Sequence, residues 1–121
     1  MARVLVIDDE ETIRIVIRRL LEPYGHDVIL GEDGLRGFGM AQHQRPDVIV
    51  LDLMMPLVDG FETLGFLRED PRTADRPVIV LSAMTGEQVR QRCLDAGAVE
   101  VLAKPFEPEV LQAAIVRALD R

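Results

Sequence analysis

The chain has 121 residues, which is the size of one small domain, and 48% of them are apolar, enough for a sizeable core. Its formal net charge of −7 argues against a nucleic-acid-binding surface, because phosphate backbones are bound by clusters of Lys and Arg. The apolar runs are far shorter than a membrane span and Cys93 is the single cysteine, so we expect a cytoplasmic protein that binds neither membranes nor nucleic acid directly.

Five short runs rich in β-branched residues predict five β-strands. They are Val4–Ile7, Val28–Leu30, Val48–Leu51, Val78–Leu81 and Val99–Leu102. Most of these runs are continuously apolar rather than alternating, as expected of parallel strands that are covered on both faces. Glu100 interrupts the last run and therefore predicts that this strand lies at an edge of the sheet.

Helical patterns separate the strands. The first helix has one apolar stripe at i, i+3 and i+4 spacing, made of Ile13, Val16, Ile17, Leu20 and Leu21. The segment Asp33–Gln42 predicts a second helix of low stability, because it contains three glycines.

The three remaining helices have start and stop signals. Asp59 with Glu62 has the spacing of a capping box, and so has Thr85 with Gln88. Gly97 is suited to close the fourth helix as its C′ residue. Pro108 fits the first turn of the last helix, whose apolar stripe is Leu111, Ala114, Ile115 and Ala118.

Strict alternation of five strands with five helices predicts an α/β fold, an open parallel sheet with helices on both faces. Of the common doubly wound arrangements, the flavodoxin-like strand order 2-1-3-4-5 is the better choice for only five strands. Ligands of such sheets bind beyond the carboxyl ends of the strands, near the point where the order reverses. Here that point lies between strands 1 and 3.

Polar residues follow the four strands that this order makes neighbours: Asp8 and Asp9, Asp52, Ser82 and Lys104. Three carboxylates brought close together repel one another, and a hard divalent cation such as Mg²⁺ relieves that repulsion. Lys104 as a point charge and Ser82 as a hydroxyl donor complete a phosphate-sized pocket. One Asp after a strand is usually a helix cap, but the full set at one edge predicts a metal and phosphate site.

Five motifs resemble the receiver domain of two-component response regulators, in particular that of chemotaxis regulators. They are IDDE at 7–10, DLMMP at 52–56, DG at 59–60, SA at 82–83 and KPF at 104–106. The match runs in order over nearly the whole chain, so we expect residues 1–121 to form one receiver domain. The resemblance implies phosphoryl transfer from a sensor histidine kinase, a phosphotransfer protein or a small acyl phosphate, with Mg²⁺ or alternatively Mn²⁺ as cofactor. It also implies a downstream output protein or domain.

The resemblance assigns a role to each matching residue. Asp52 matches the phosphoryl-accepting nucleophile. Ser82 matches the hydroxyl that closes onto the phosphoryl group, and Lys104 matches the lysine that pairs with the phosphoryl oxygens. The peptide bond between Lys104 and Pro105 resembles the cis bond of the family. The implied metal-binding residues are Asp8, Asp9, Asp52 and the backbone carbonyl of Met54, with Asp9 as a direct ligand and Asp8 acting mostly through metal-bound water.

Two departures from the family pattern concern the switch. Phosphorylation in the family shifts the face formed by helix 4, strand 5 and helix 5. An aromatic residue often stands three positions before the lysine, but this chain has Val101, whose side chain is short and stiff at χ1. We therefore expect activation to move the backbone of Ser82–Gly86 rather than the side chain of Val101. Leu57 replaces a frequent glycine, which we expect to stiffen its loop.

Two other functions compete with the phosphorylation switch as interpretations of the sequence. A hydrolase of the haloacid-dehalogenase type also forms an aspartyl phosphate, but it needs a DxDxT-like run where this chain has DDEET. A constitutive interaction module would keep the fold without cycling phosphate, and Val101 leaves that alternative open. The complete set of acids, serine and lysine favours a switch that catalyses only its own phosphotransfer and dephosphorylation, and is not otherwise an enzyme.

Overall fold

A computed structural model describes residues 2–84 and 86–120 of the chain. Strands and helices alternate throughout, and a short 3-10 helix, Glu22–Tyr24, follows the first α-helix. The strands are β1 (Arg3–Ile7), β2 (Asp27–Gly31), β3 (Val48–Asp52), β4 (Val78–Ser82) and β5 (Glu100–Ala103). The helices are α1 (Glu11–Leu21), α2 (Gly34–Gln44), α3 (Gly60–Glu69), α4 (Glu87–Asp95) and α5 (Pro108–Leu119).

The five strands form one parallel sheet in the order β2-β1-β3-β4-β5. This confirms the predicted flavodoxin-like α/β fold and the predicted strand order. The sequence placed each strand to within one residue at either end, and β5 lies at an edge, as Glu100 indicated. Among residues 2–84 and 86–120 there is no helix with the length and apolarity that crossing a membrane requires.

Helices cover the sheet on both faces, so alternate residues of each strand point into two separate cores. In β1, Val4 and Val6 belong to the core that α1 and α5 cover. Leu5 and Ile7 of the same strand belong to the core covered by α2, α3 and α4. Burial on both faces explains why the strands are continuously apolar in sequence.

Helix ends follow the predicted signals where the structure describes them. Asp59 and Glu62 form the reciprocal capping box of α3. Gly97 has a φ of +111° and ends α4, with its N–H bonded to the carbonyl of Leu94. The predicted cap Thr85 lies outside the described residues. The helix that it was to open begins at Glu87.

Packing of α1 differs from the sequence-based interpretation at one residue. The periodicity places Val16 in the apolar stripe of α1, but its side chain is exposed. Ile17 and Leu21 are the residues of α1 that are fully buried against the sheet, and Ile13 packs at the margin of the same core. The buried stripe is therefore narrower than the periodicity predicted.

Candidate functional site

The carboxyl ends of four neighbouring strands place polar side chains at one edge of the sheet. Asp52 and Ser82 are the last residues of β3 and β4, while Asp8 directly follows β1 and Lys104 directly follows β5. The ladder continues to these positions, because the N–H of Lys104 donates to the carbonyl of Ser82 at 2.8 Å. The register of the sheet therefore brings together residues that lie up to 96 positions apart in sequence.

Lys104 joins the two buried carboxylates of this edge. Its Nζ lies 2.9 Å from Oδ1 of Asp52 and 3.9 Å from Oδ2 of Asp8. Asp52 is 4% exposed and Asp8 is 1% exposed. Buried charges are costly unless they are paired, and one ammonium group cannot neutralise two carboxylates. The edge therefore carries excess negative charge in a poorly solvated place.

Asp8 is the most perturbed acid of the site. Its Oδ1 accepts a hydrogen bond from the N–H of Glu10 at 2.9 Å, but within residues 2–84 and 86–120 its buried Oδ2 has no hydrogen-bond partner. Burial raises the pKa of Asp8 to about 6, the charge of Asp52 adds to the rise, and the Glu10 N–H and Lys104 oppose it. A buried carboxylate oxygen that accepts no hydrogen bond fits a divalent cation, which prefers oxygen ligands.

Three consecutive acids lie close together directly after β1. Carboxylate oxygens of Asp8, Asp9 and Glu10 lie within 4.8 Å of one another. The sequence had indicated Asp8 and Asp9, but Glu10 was missed, although it is the third acid of the IDDE motif. Lys104 contacts both Asp52 and Asp8 and so links Asp52 to this group. The assignment of these acids and of the Met54 carbonyl as metal ligands stays a prediction.

Ser82 is turned toward its own loop. Its Oγ accepts a hydrogen bond from the N–H of Met84 at 3.0 Å and donates to the carbonyl of Met84 at 3.1 Å. These bonds must be exchanged if the hydroxyl is to close onto a phosphoryl group on Asp52. Val101 is half-buried and packs against the core on the α4 side of the sheet. The expected motion of the loop without a flip at Val101 stays a prediction.

The loop after β3 contains a strained residue at its tip. Leu57 has a φ of +65°, in the left-handed region, and its side chain is fully exposed. This is the position at which the family frequently has glycine, the residue that adopts this backbone without strain. The peptide bond between Lys104 and Pro105 is cis, as the resemblance implied.

Leu57→Gly is expected to leave the free energy of unfolding unchanged or to raise it by up to about 1 kcal/mol, because relief of left-handed strain offsets the added chain entropy. Urea denaturation measures this change. The matched control is Leu35→Gly, at an exposed leucine within α2. Its free energy of unfolding is expected to fall by about 0.5–1 kcal/mol. Equal losses in both variants would contradict the role of strain.

Comparison with known proteins identifies the family to which this chain belongs. The model of the response regulator receiver domain matches residues 4–116. The chain is 43% identical to the DNA-binding dual master transcriptional regulator RpaA of Synechocystis sp., with all of this chain and 52% of that protein covered. The chain thus spans about half the length of the curated relatives it matches.

Two solved structures share both the fold and a substantial part of the sequence. Chemotaxis protein CheY4 of Vibrio cholerae is 34% identical, with a TM-score of 0.92 and coverage of 98% of this chain and 99% of that chain. The receiver domain of a Pseudomonas aeruginosa sensor histidine kinase, which has a magnesium ion coordinated in its active-site cleft, is 31% identical. Its TM-score is 0.91, with coverage of 99% and 98%. By family match, relatives and fold together, this chain belongs to the response regulator receiver domains of two-component systems.

Proposed function

We propose that this domain is a phosphorylation-dependent signalling switch in which Asp52 accepts a phosphoryl group in a Mg²⁺-dependent reaction. The observation that carries the proposal is the position of Lys104 between two buried carboxylates, Asp52 and Asp8. Lys104 is the only lysine of the sequence. Its compact charge at this place suits the oxygens of a phosphoryl group. The buried Oδ2 of Asp8, which accepts no hydrogen bond from the described residues, suits a cation.

Phosphorylation requires little covalent chemistry from the protein. An oxygen of Asp52 forms a bond to phosphorus while the bond from phosphorus to the donor breaks, and the donor keeps the electron pair of that bond. Lys104 positions the transferring oxygens and offsets their charge. The residues that would hold Mg²⁺ are Asp8, Asp9, Asp52 and the carbonyl of Met54, and bound Mg²⁺ supplies further charge neutralisation.

The proposed donor is the phosphohistidine of a sensor kinase or of a phosphotransfer protein. After transfer, Ser82 exchanges its bonds to Met84 for a bond to the new phosphoryl oxygens. That exchange releases the loop that leads into α4, so the change reaches the face of α4, β5 and α5. The proposed binding partner of this face is an output protein or a domain outside residues 1–121.

The test is incubation with acetyl phosphate and Mg²⁺, scored by intact mass. A gain of one phosphoryl group on the wild type, absent in Asp52→Asn, is expected. Phosphoramidate serves as a second donor because it cannot acetylate Lys104. Phosphorylation that persists in Asp52→Asn would contradict the assigned acceptor. A wild type that resists both donors and a kinase would instead support the constitutive interaction module.

Asp9→Ala is expected to lower the phosphorylation rate at least about 100-fold even though Asp52 is intact, because the variant lacks a ligand of the ion that offsets the developing charge. Quenched time points with phosphoramidate measure the rate. Asp75→Ala, an exposed acid away from the site, is the matched control and is expected to react like the wild type. A wild-type rate in Asp9→Ala, or wild-type activity in chelator, would exclude the metal role.

Slow loss of the phosphoryl group is expected, because the side chains two positions after Asp52 and Ser82 are Met54 and Met84. They are 58% and 40% exposed, and neither can orient an attacking water. Replacing both with glutamine is expected to speed hydrolysis about threefold to tenfold by adding hydrogen-bonding groups. Decay of the phosphorylated mass measures the rate, with both methionines replaced by leucine as the control. Identical lifetimes in the two double variants would contradict this explanation.

A further inference from the structure

Glu10 occupies the N-cap position of α1 without acting as a cap. Its φ of −96° and ψ of 117° are the extended values that N-cap residues adopt. In the part of the chain that the structure describes, its side chain nevertheless accepts no capping hydrogen bond. Asp33 and Asp59 hold the same position in α2 and α3, and both do accept one. The carboxylate of Glu10 therefore lacks the local role that the other two acids have.

The Glu10 carboxylate instead lies beside two other acids. Its oxygen belongs to the group with Asp8 and Asp9 whose members lie within 4.8 Å of one another. Carboxylates at such distances repel one another unless they share a cation. A second observation concerns the same group, since the buried Oδ2 of Asp8 accepts no hydrogen bond from the described residues and has only the Nζ of Lys104, at 3.9 Å, as a charged neighbour.

The charge around the site is negative in excess. Lys104 is the cation that contacts Asp8 and Asp52. Arg14 donates its Nη1 to the backbone carbonyl of Asp8 at 2.7 Å rather than to a carboxylate. The carboxylate of Glu10 therefore adds to a negative charge that a divalent ion would relieve.

We infer that Glu10 sets the divalent-cation affinity of this site through its charge, beyond the ligands that the family resemblance implies. The inference rests on the proposed function, because it concerns the ion that the phosphotransfer uses. Glu10 is exposed, so its effect is electrostatic, acts on Mg²⁺ and Mn²⁺ alike, and weakens as salt screens it.

The experiment is titration calorimetry of MgCl₂ and MnCl₂ into the unphosphorylated protein at low and high salt. Glu10→Gln removes the charge and keeps the size of the side chain. It is expected to bind both ions about threefold to tenfold more weakly than the wild type, from the Coulomb energy at this range. The matched control is Glu11→Gln, an adjacent exposed acid outside the group, with an expected change of less than about twofold.

A second variant separates this role from a structural one. Glu10→Ser supplies a good N-cap, so the melting temperature of the ion-free protein is expected to rise by about 2–4 °C while the affinity for Mg²⁺ falls as in Glu10→Gln. Wild-type affinity in Glu10→Gln, or an equal loss in Glu11→Gln, would overturn the inference and leave the proposed function intact. A wild type that binds neither ion would overturn the Mg²⁺ dependence and the inference together.

Discussion

Lys104→Met is expected to bind Mg²⁺ more tightly and to accept phosphate more slowly. Nζ of Lys104 neutralises the carboxylates that would hold the ion, lying 2.9 Å from Asp52 and 3.9 Å from Asp8. Without this charge, the affinity for Mg²⁺ is expected to rise about tenfold, because the ammonium no longer repels the cation. The phosphorylation rate is expected to fall about 100-fold, because nothing replaces the lysine at the phosphoryl oxygens.

Calorimetry with Mg²⁺ and intact mass after reaction with phosphoramidate measure the two effects on the same preparation. Lys104→Arg keeps the charge and is the matched control for the binding measurement. Its affinity for Mg²⁺ is expected to stay near that of the wild type, while its bulkier guanidinium group fits the phosphoryl pocket poorly. If Lys104→Met lowers both the affinity and the rate, the charge balance described for this site is wrong.

Asp8→Asn is expected to stabilise the ion-free protein at pH 7.5 by about 3 kcal/mol, because the variant does not have to bury a charged carboxylate. In the wild type, burial and the neighbouring acids raise the pKa of Asp8 from 3.8 to about 6. The folded state therefore holds this proton more tightly than the unfolded state. The stability that the proton contributes is complete below pH 3.8 and is lost as the pH rises through 6.

The difference in the free energy of unfolding between Asp8→Asn and the wild type is accordingly expected to be largest above pH 6 and to vanish near pH 4. Urea denaturation of both proteins across this range, without divalent ions, measures it. Asp70→Asn is the control, because hydrogen bonds from Arg72 and Gln42 lower the pKa of Asp70 to about 2 and the expected pH dependence has the opposite sign. Saturating Mg²⁺ is expected to stabilise the wild type far more than Asp8→Asn. A pH-independent difference between these two proteins would contradict burial as the cause.

Much of the fold followed from patterns that are local in sequence. Continuous apolar runs such as Val48–Leu51 predicted strands buried on both faces, and Glu100 predicted the edge strand. The cap at Asp59 and the helix end at Gly97 were also predictable from the sequence, because each depends on a few neighbouring residues. The polar residues at the strand ends indicated a site because parallel strands end at the same edge.

Only the tertiary structure decided how the acids of the site are buried and how close together they lie. The resemblance distinguishes Asp9, as a direct ligand, from Asp8, but it does not indicate that Asp8 is buried, with an oxygen that accepts no hydrogen bond from the described residues and a raised pKa. In the sequence, Glu10 resembles an ordinary residue at the start of a helix. The structure places its carboxylate beside those of Asp8 and Asp9. These differences depend on desolvation and on distances between groups from separate elements, which no local pattern contains.

The same reason explains the two residues whose surroundings the sequence did not determine. Val16 fits the apolar periodicity of α1, but the way the helix lies on the sheet leaves its side chain exposed. Leu57 was identified as a departure from the family pattern, and the structure adds that its backbone is left-handed. Periodicity and motif spacing predicted the elements, their order and most residues of the candidate site. Burial, charge balance and backbone strain were decided by how those elements pack.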